Sequence, residues 1–140
     1  MKKTALLLIT HFVFVISIVT ACSGRDSASL VGDWKLVSYE SSTNPRPADP
    51  NVETSLIFGS DGKLNGNMGC NSFNGDYEVD GNTVTLGSIT STMMACADPI
   101  MQQESTVFIV FSNPATFKID GNTLTITSAD GESVVVVKRK

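Results

Sequence analysis

Three cysteines and one histidine carry most of the reactive side-chain chemistry in this sequence: Cys22, Cys70, Cys96 and His11. Thiolates and imidazoles serve as nucleophiles, general bases and metal ligands, so the positions of these residues decide which kinds of site are open. The cysteines lack the Cys-x-x-Cys spacing of thiol oxidoreductases. Neither Cys70 nor Cys96 has a histidine or basic neighbour in the sequence to activate a thiol. The role of each residue therefore depends on the segment that positions it.

His11 lies in an N-terminal segment with the features of a secretory signal. Lys2 and Lys3 form a basic start, and an apolar run extends from residue 5 to residue 21. At about seventeen residues the run is at the lower limit for a spanning helix, so an uncleaved membrane anchor is the alternative. The basic start and the small residues before position 22 favour a cleaved signal.

The residues around the expected cleavage point, Val19-Thr20-Ala21-Cys22, resemble the lipobox of bacterial lipoproteins. This resemblance implies lipidation of Cys22, which would hold the protein on a membrane without spanning it. We therefore divide the chain into a signal peptide (1–21), a lipid-anchored flexible tether (22–29) and one folded domain (30–140). By resemblance to such lipoproteins, Ser23 is not an inner-membrane retention signal, which typically has Asp there. The resemblance therefore implies a cell-envelope protein, located on the outer membrane and facing the periplasm if the cell has one.

Cleavage would remove the only histidine and with it several classes of function. The remaining 119 of 140 residues could form neither a Ser-His-Asp triad, nor a Cys-His pair, nor a histidine metal site. They carry 8 basic and 14 acidic side chains once Lys2 and Lys3 are lost, a net charge of −6. Nucleic acid and anionic lipid surfaces require basic patches, so neither is expected as the main partner. We predict a monomer that is not an enzyme and has no cofactor or metal.

Lipidation of Cys22 would leave Cys70 and Cys96 as a pair. Outside the cytoplasm two thiols tend to oxidise. On the chain-entropy model, closing a loop of about 27 residues stabilises a fold by about 3–4 kcal/mol. A structural disulfide is thus favoured, and a thiol-redox role is the less favoured alternative.

The elements that position these cysteines are mainly strands. From Trp34 onward apolar and polar residues alternate, which predicts Trp34, Leu36 and Ser38 on one face and Lys35, Val37 and Tyr39 on the other. Trp34 is the only tryptophan, and a core anchor is favoured over a ligand platform. Further strands are predicted around 52–58, 63–66 and 133–138.

Two similar hairpins lie forty residues apart, at 77–86 and 117–126, each turning at Asp-Gly-Asn. Between them, the segment 98–112 favours a helix with Asp98 as N-cap and Pro99 in its first turn, although β-branched residues allow a strand there. The total of about eight strands and one helix predicts a small antiparallel barrel, since closure removes exposed edges.

Several motifs together resemble the META domain of the heat-shock protein HslJ and its lipoprotein relatives. The resemblance covers about residues 30–138 and is carried by Trp34-Lys35-Leu36, Phe58 before an Asp-Gly turn, Gly66-x-x-Gly69-Cys70-Asn71, Thr92-Met93-Met94-Ala95-Cys96 and Glu104. It implies a β-barrel-like fold, a Cys70–Cys96 disulfide and an envelope context linked with stress or outer-membrane upkeep. It implies no defined reaction.

Three functions are therefore weighed. The leading hypothesis is a non-catalytic envelope lipoprotein that acts through protein or surface interactions and contacts other envelope proteins. The second is a barrel that binds a small apolar ligand at a mouth lined by Trp34, Phe73, Met93 or Met94, although methionines also fill irregular cores and the core role is the commoner one. A thiol-redox protein is third. Glu104 is expected to face solvent or to cap a helix.

Overall fold

The computed structural model describes residues 29–140. The predicted signal peptide, Cys22 and all of the predicted tether except Ser29 lie outside this range. The described residues form nine strands and one α-helix: β1 (Gly32–Glu40), β2 (Pro45–Pro47), β3 (Ser55–Phe58), β4 (Lys63–Asn67), β5 (Ser72–Asp80), β6 (Thr83–Ser91), α1 (Asp98–Val110), β7 (Ala115–Asp120), β8 (Thr123–Thr127) and β9 (Val134–Arg139).

The strands form one antiparallel sheet that closes on itself. Neighbouring strands follow the order β2-β1-β3-β4-β5-β6-β7-β8-β9, and β1 also pairs with β9. Eight strands therefore make a closed barrel, and the three-residue β2 extends the sheet beside the far end of β1, where Tyr39 pairs with Arg46. The predicted fold, a mainly β antiparallel barrel with one helix, is confirmed.

The barrel wall is incomplete on one side of β6. Within the described chain, β6 pairs with β7 only at Thr83 and Val84, whereas its pairing with β5 continues to Ser91. After Ser91 the chain leaves the sheet to form α1, and it returns to the sheet at Ala115, the first residue of β7. The outer edge of residues 85–91 consequently has no partner strand in residues 29–140.

Large side chains fill the interior. Trp34 is fully buried: its Nε1 donates to the Leu30 carbonyl at 2.9 Å, and the Arg139 guanidinium lies 4.2 Å from the centroid of its ring. It is a core anchor. The other fully buried large side chains include Leu56, Phe58, Leu64, Met68, Leu124 and Ile126.

The predicted orientation of Tyr39 is wrong, because β1 does not keep period two along its whole length. Its pairing with β9 shifts between Leu36 and Ser38. Such a bulge turns the following side chains to the opposite face. Tyr39 is buried instead of Ser38.

Both predicted hairpins are present, and they use the same turn. Asp80 pairs with Thr83 and Asp120 with Thr123, leaving a Gly-Asn pair in each loop. Gly81 and Gly121 have φ of +59° and +55°, whereas neither asparagine has a positive φ. A positive φ at the first central residue alone is the type II′ pattern, which glycine favours.

Helix α1 begins at Asp98, one residue earlier than predicted. Ala97 is the N-cap, without a side-chain hydrogen bond, and Asp98 and Pro99 lie in the first turn, so the prediction of Asp98 as N-cap is wrong. The helix ends at Val110. Its buried residues are Gln103, Glu104, Val107 and Val110. Two polar side chains, Gln103 and Glu104, therefore lie on its inner face.

Among residues 29–140, no helix has the length and apolarity to cross a membrane.

Tyr77 offers a test of the packing beneath the 59–62 turn. Its hydroxyl donates to the Gly59 carbonyl at 2.7 Å, and burial, with a smaller effect of the Asp61 charge, raises the pKa of Tyr77 above its ordinary 10.0. Neutral tyrosine is thus favoured in the folded state. The associated stability is fully present below pH 10.0 and is lost as the pH rises through the folded-state pKa.

We expect Tyr77 to ionise above pH 10.0. Tyrosinate absorbance is followed against pH in the wild type and in Tyr77→Phe, and the difference between the two curves is the titration of Tyr77. Ionisation at or below that value would contradict the burial of its hydroxyl.

Candidate functional site

The two cysteine segments meet at one end of the barrel. The sulfur atoms of Cys70 and Cys96 lie 2.08 Å apart, at disulfide distance. Cys70 belongs to the loop after β4, and Cys96 to the segment that joins β6 to α1. This bond connects two segments that are 26 residues apart in the sequence.

Beside the disulfide, the Glu104 carboxylate holds Asn71. The Asn71 backbone N–H donates to Oε2 of Glu104 at 2.6 Å, and the Asn71 side-chain Nδ2 donates to Oε1 at 2.7 Å. Both residues are buried. The expectation that Glu104 faces solvent or caps a helix is therefore wrong: α1 directs this side chain inward, where it satisfies two donors of a tight loop.

The same asparagine positions the segment that carries Met93 and Met94. Its Oδ1 accepts from the Thr92 hydroxyl at 2.8 Å and from the Met94 backbone N–H at 2.7 Å. The Thr92 backbone N–H also donates to the Ser72 carbonyl at 3.0 Å. Glu104 orients Asn71, and Asn71 in turn fixes the backbone on both sides of Met93.

Gln103 performs a similar role for a third segment. Its Nε2 donates to the Met68 carbonyl at 2.7 Å, while its Oε1 accepts from the Asp49 backbone N–H at 2.8 Å. The close approach of α1 requires glycine at position 69, where φ is +120° and a Cβ would lie 3.0 Å from Ile100 Cγ2. Glycine adopts this conformation without steric cost.

The structure does not place Met93 or Met94 in the core. Met93 is 98% exposed and Met94 is 53% exposed. Core packing, one of the two alternatives weighed for them, is therefore wrong: hydrogen bonds to Asn71 anchor this segment while the side chains project outward. Residues 92–95, which we call the methionine loop, form a surface feature.

Trp34 and Phe73 are core residues. Phe73 is buried, and its ring packs edge-to-face against Phe108 of α1 with 5.1 Å between centroids. Trp34 packs under Arg139. Because two of the four proposed ligand-lining residues are core and two are exposed on a loop, the structure does not bring them together as one cavity.

The acidic and thiol side chains of the described residues do not form a metal cluster. No group of three or more His, Cys, Asp or Glu side chains in residues 29–140 is placed to hold a metal ion. The buried Glu104 carboxylate is occupied by Asn71. This end of the barrel can therefore fix loops and present a surface.

Glu104 could have been found from the sequence. Within the helical segment 98–112, residues 103 and 104 lie on the same face as the apolar Ile100 and Val107 at 3.6 residues per turn. The exposure of Met93 had no such signal, because it depends on contacts between residues distant in the sequence.

Solved structures with this architecture exist. The chain superposes on the NMR structure of a protein from Burkholderia xenovorans with a TM-score of 0.64, at 18% identity over 78% of this chain and 81% of that one. A second NMR structure gives 0.61 at 23% identity, covering 77% and 88%. A crystal structure of a DUF4847 family protein from Bacteroides vulgatus gives 0.56 at 14% identity, covering 78% and 92%.

These identities are low, so the likenesses support the fold alone. No curated protein matches the sequence significantly. The model of the META domain family, however, matches residues 28–140, which include every element described above. The chain belongs to the META domain family.

Proposed function

We propose that this protein is a non-catalytic lipoprotein of the cell envelope whose META domain binds another envelope protein through the methionine loop. Through such binding it would support outer-membrane upkeep or stress tolerance. Lipidation at Cys22 and the outer-membrane location come from the lipobox resemblance. The binding surface is argued from the folded domain.

The observation that carries the proposal is the nearly complete exposure of Met93 on an ordered backbone. Methionine is flexible and polarisable and adapts to irregular apolar partners. Binding through a loop that is already ordered loses little conformational entropy. Asn71, the Cys70–Cys96 bond and Glu104 order this loop before any partner arrives.

The neighbouring strand enlarges this surface. The unpartnered edge of β6 leads directly into Thr92, and residues 85–91 carry no charged side chain and no proline. An uncharged open edge can accept an extended segment as an additional strand. A partner strand on β6 would end beside Met93, so backbone pairing and apolar contact would act together.

Site-specific photocrosslinking in the intact envelope tests this binding mode. A photoreactive residue at position 93 of the full-length protein should capture a defined envelope protein, whereas one at Val79 should not. Val79 is a matched control because it is 46% exposed and lies near the end of β5. Equal capture at both positions, or none at position 93, would contradict the proposal.

With the captured protein purified, Met93→Ser/Met94→Ser should weaken binding by at least about tenfold, since hot-spot side chains typically contribute more than about 1 kcal/mol each. Val79→Ser is the matched control and should leave the affinity unchanged. Circular dichroism would show that both variants remain folded. The same affinity for the double variant and the wild type would remove the methionine loop from the interface.

A further inference from the structure

A groove of about 370 Å³ lies along the outer face of β1 and β9 and is lined by Lys35, Leu36, Val37, Ala48, Asp49, Pro50, Lys138, Arg139 and Lys140. Four of the seven lysines and arginines in residues 29–140 are in this list. The domain is acidic as a whole, but its positive charge is concentrated at one place.

Two of these charges face each other without compensation. Lys35 and Lys138 are direct cross-strand partners in the β1–β9 register. Both side chains are exposed, and neither makes an ion pair within the described residues. Like charges directly opposite each other destabilise a sheet. An anion placed between them would relieve this repulsion.

The other charged groups of the groove already have partners. Lys140 Nζ lies 3.5 Å from Asp33 Oδ2. Arg139 donates to the carbonyls of Val31 and Ser29 at 3.0 Å each. The Asp49 carboxylate accepts from the backbone and side chain of Asn51. Lys35 and Lys138 are therefore the charges free to bind an incoming anion.

The groove also has an apolar part, to which Val37, Ala48 and Pro50 contribute, with Val37 exposed. The groove thus combines apolar side chains with two free ammonium groups, and this combination matches a ligand with an anionic head and an apolar body. Phospholipids of net negative charge have this chemistry.

The groove is also close to the point where the tether enters the domain. Arg139, which lines the groove, hydrogen-bonds to the carbonyl of Ser29, the first described residue. The seven residues from Cys22 to Ala28 can span at most about 25 Å when fully extended. A lipid anchor at Cys22 would therefore keep Ser29, and the end of β9 that binds it, within about 25 Å of the membrane surface.

We propose that Lys35 and Lys138 bind anionic phospholipid headgroups of the membrane that anchors the chain, orienting the barrel with its β1–β9 face toward the bilayer. This inference rests on the proposed lipid anchor. The net negative charge led us to expect no anionic lipid surface as the main partner. The proposal modifies that expectation, because an acidic domain can bind an anionic surface at the place where its few basic residues are clustered.

Lysine labelling of the acylated protein tests the proposal. The full mature protein is reconstituted in vesicles of phosphatidylglycerol or of phosphatidylcholine, and the reaction of each lysine with an amine reagent is followed by mass spectrometry. Lys118 is the internal control, being exposed and outside the groove. Lys35 and Lys138 should react about threefold more slowly on phosphatidylglycerol than on phosphatidylcholine, as local electrostatic binding requires, and Lys118 should not differ.

The protection should disappear at about 0.5 M NaCl, where charges at the membrane surface are strongly screened. Lys35→Gln/Lys138→Gln should abolish the phosphatidylglycerol-dependent protection of Lys140 in the same groove, whereas the matched variant Lys118→Gln should retain it. Circular dichroism of the double variant shows whether its fold is intact.

Equal protection on the two lipids, or equal protection of Lys118, would overturn the proposal. Protection of Lys35 and Lys138 by inorganic phosphate without vesicles would also overturn it, in favour of a site for soluble anions. The intact mass of the purified protein separates these outcomes from failure of the anchor itself, because an unmodified Cys22 would refute lipidation before any vesicle is used.

Discussion

Glu104→Ala is expected to lower the free energy of unfolding by about 3–5 kcal/mol, because it removes two buried hydrogen bonds to a carboxylate, and hydrogen bonds of this kind contribute about 1.5–3 kcal/mol each. The substitution removes the carboxylate that accepts from the Asn71 backbone N–H at 2.6 Å and from Asn71 Nδ2 at 2.7 Å. The backbone N–H would remain buried without a partner, and Nδ2 would keep only its longer hydrogen bond to the Met94 carbonyl, at 3.5 Å. Hydrogen bonds to charged groups contribute about 1.5–3 kcal/mol each, and an unsatisfied buried donor costs about 1–3 kcal/mol.

Urea denaturation of Glu104→Ala beside the wild type measures this loss. Glu132→Ala is the control, since Glu132 is exposed and forms no ion pair in the described structure. It should change stability by less than about 0.5 kcal/mol. A loss below about 0.5 kcal/mol for Glu104→Ala would mean that the carboxylate does not hold the loop in solution.

Asn71 provides a second test of the same contact. Asn71→Ala alone is destabilising, but when combined with Glu104→Ala it should add much less than its separate effect. Residues in direct contact typically show coupling energies of about 0.5–3 kcal/mol in a double-mutant cycle. Simple additivity of the two substitutions would contradict the hydrogen-bond assignment.

Cys70→Ala/Cys96→Ala is expected to lower the free energy of unfolding by about 3.5 kcal/mol on the chain-entropy model. The bond closes a loop between residues 26 positions apart, and removing it gives the unfolded chain more conformations. The folded state also loses a link between the β4–β5 loop and the segment that leads into α1. Neither effect requires a reactive thiol.

Calorimetry of the double alanine variant, compared with the wild type with and without reductant, measures this contribution. Reduced wild type and double variant should unfold at similar temperatures, both well below the oxidised wild type. Met93→Ser is the matched control in the same loop, since it should leave the unfolding temperature unchanged. An unfolding temperature that does not respond to reductant would mean that the two cysteines do not form a stabilising bond in solution.

The variants Glu104→Ala and Cys70→Ala/Cys96→Ala also connect stability with the proposed function. Both leave Met93 and Met94 in place but release the backbone that presents them, so partner capture at position 93 should fall in each. Glu132→Ala should leave capture unchanged. Stability and binding would then depend on one polar network, consisting of Glu104, Asn71 and the backbone of the methionine loop.

Much of the barrel could be predicted because its signals are local. Alternation around Trp34 and Leu36 marks a strand, and Asp-Gly-Asn between alternating segments marks a hairpin, whatever the rest of the chain does. Tyr39 was misplaced because one bulge shifts the period, and a bulge depends on the partner strand. The cap of α1 was misplaced by one residue, as is common for helix ends.

The candidate site was less predictable, since its residues act through distant partners. Hydropathy suggests that Met93 is buried and Glu104 exposed, and both are the reverse in the structure. A buried carboxylate is stable only where donors meet it, and those donors come from a loop 33 positions away in the chain. Burial of Glu104 and exposure of Met93 are two consequences of the same loop geometry.

By itself the sequence determined the strand and turn pattern and the segment that favours a helix, because period and turn chemistry are properties of neighbouring residues. Its motifs resemble the META domain, and this resemblance implied the Cys70–Cys96 pair. Only the tertiary structure decided that Gln103 and Glu104 fix three loops, that Met93 projects outward and that Lys35 faces Lys138. Those features depend on which segments meet when the sheet closes, and closure joins strands from opposite ends of the domain.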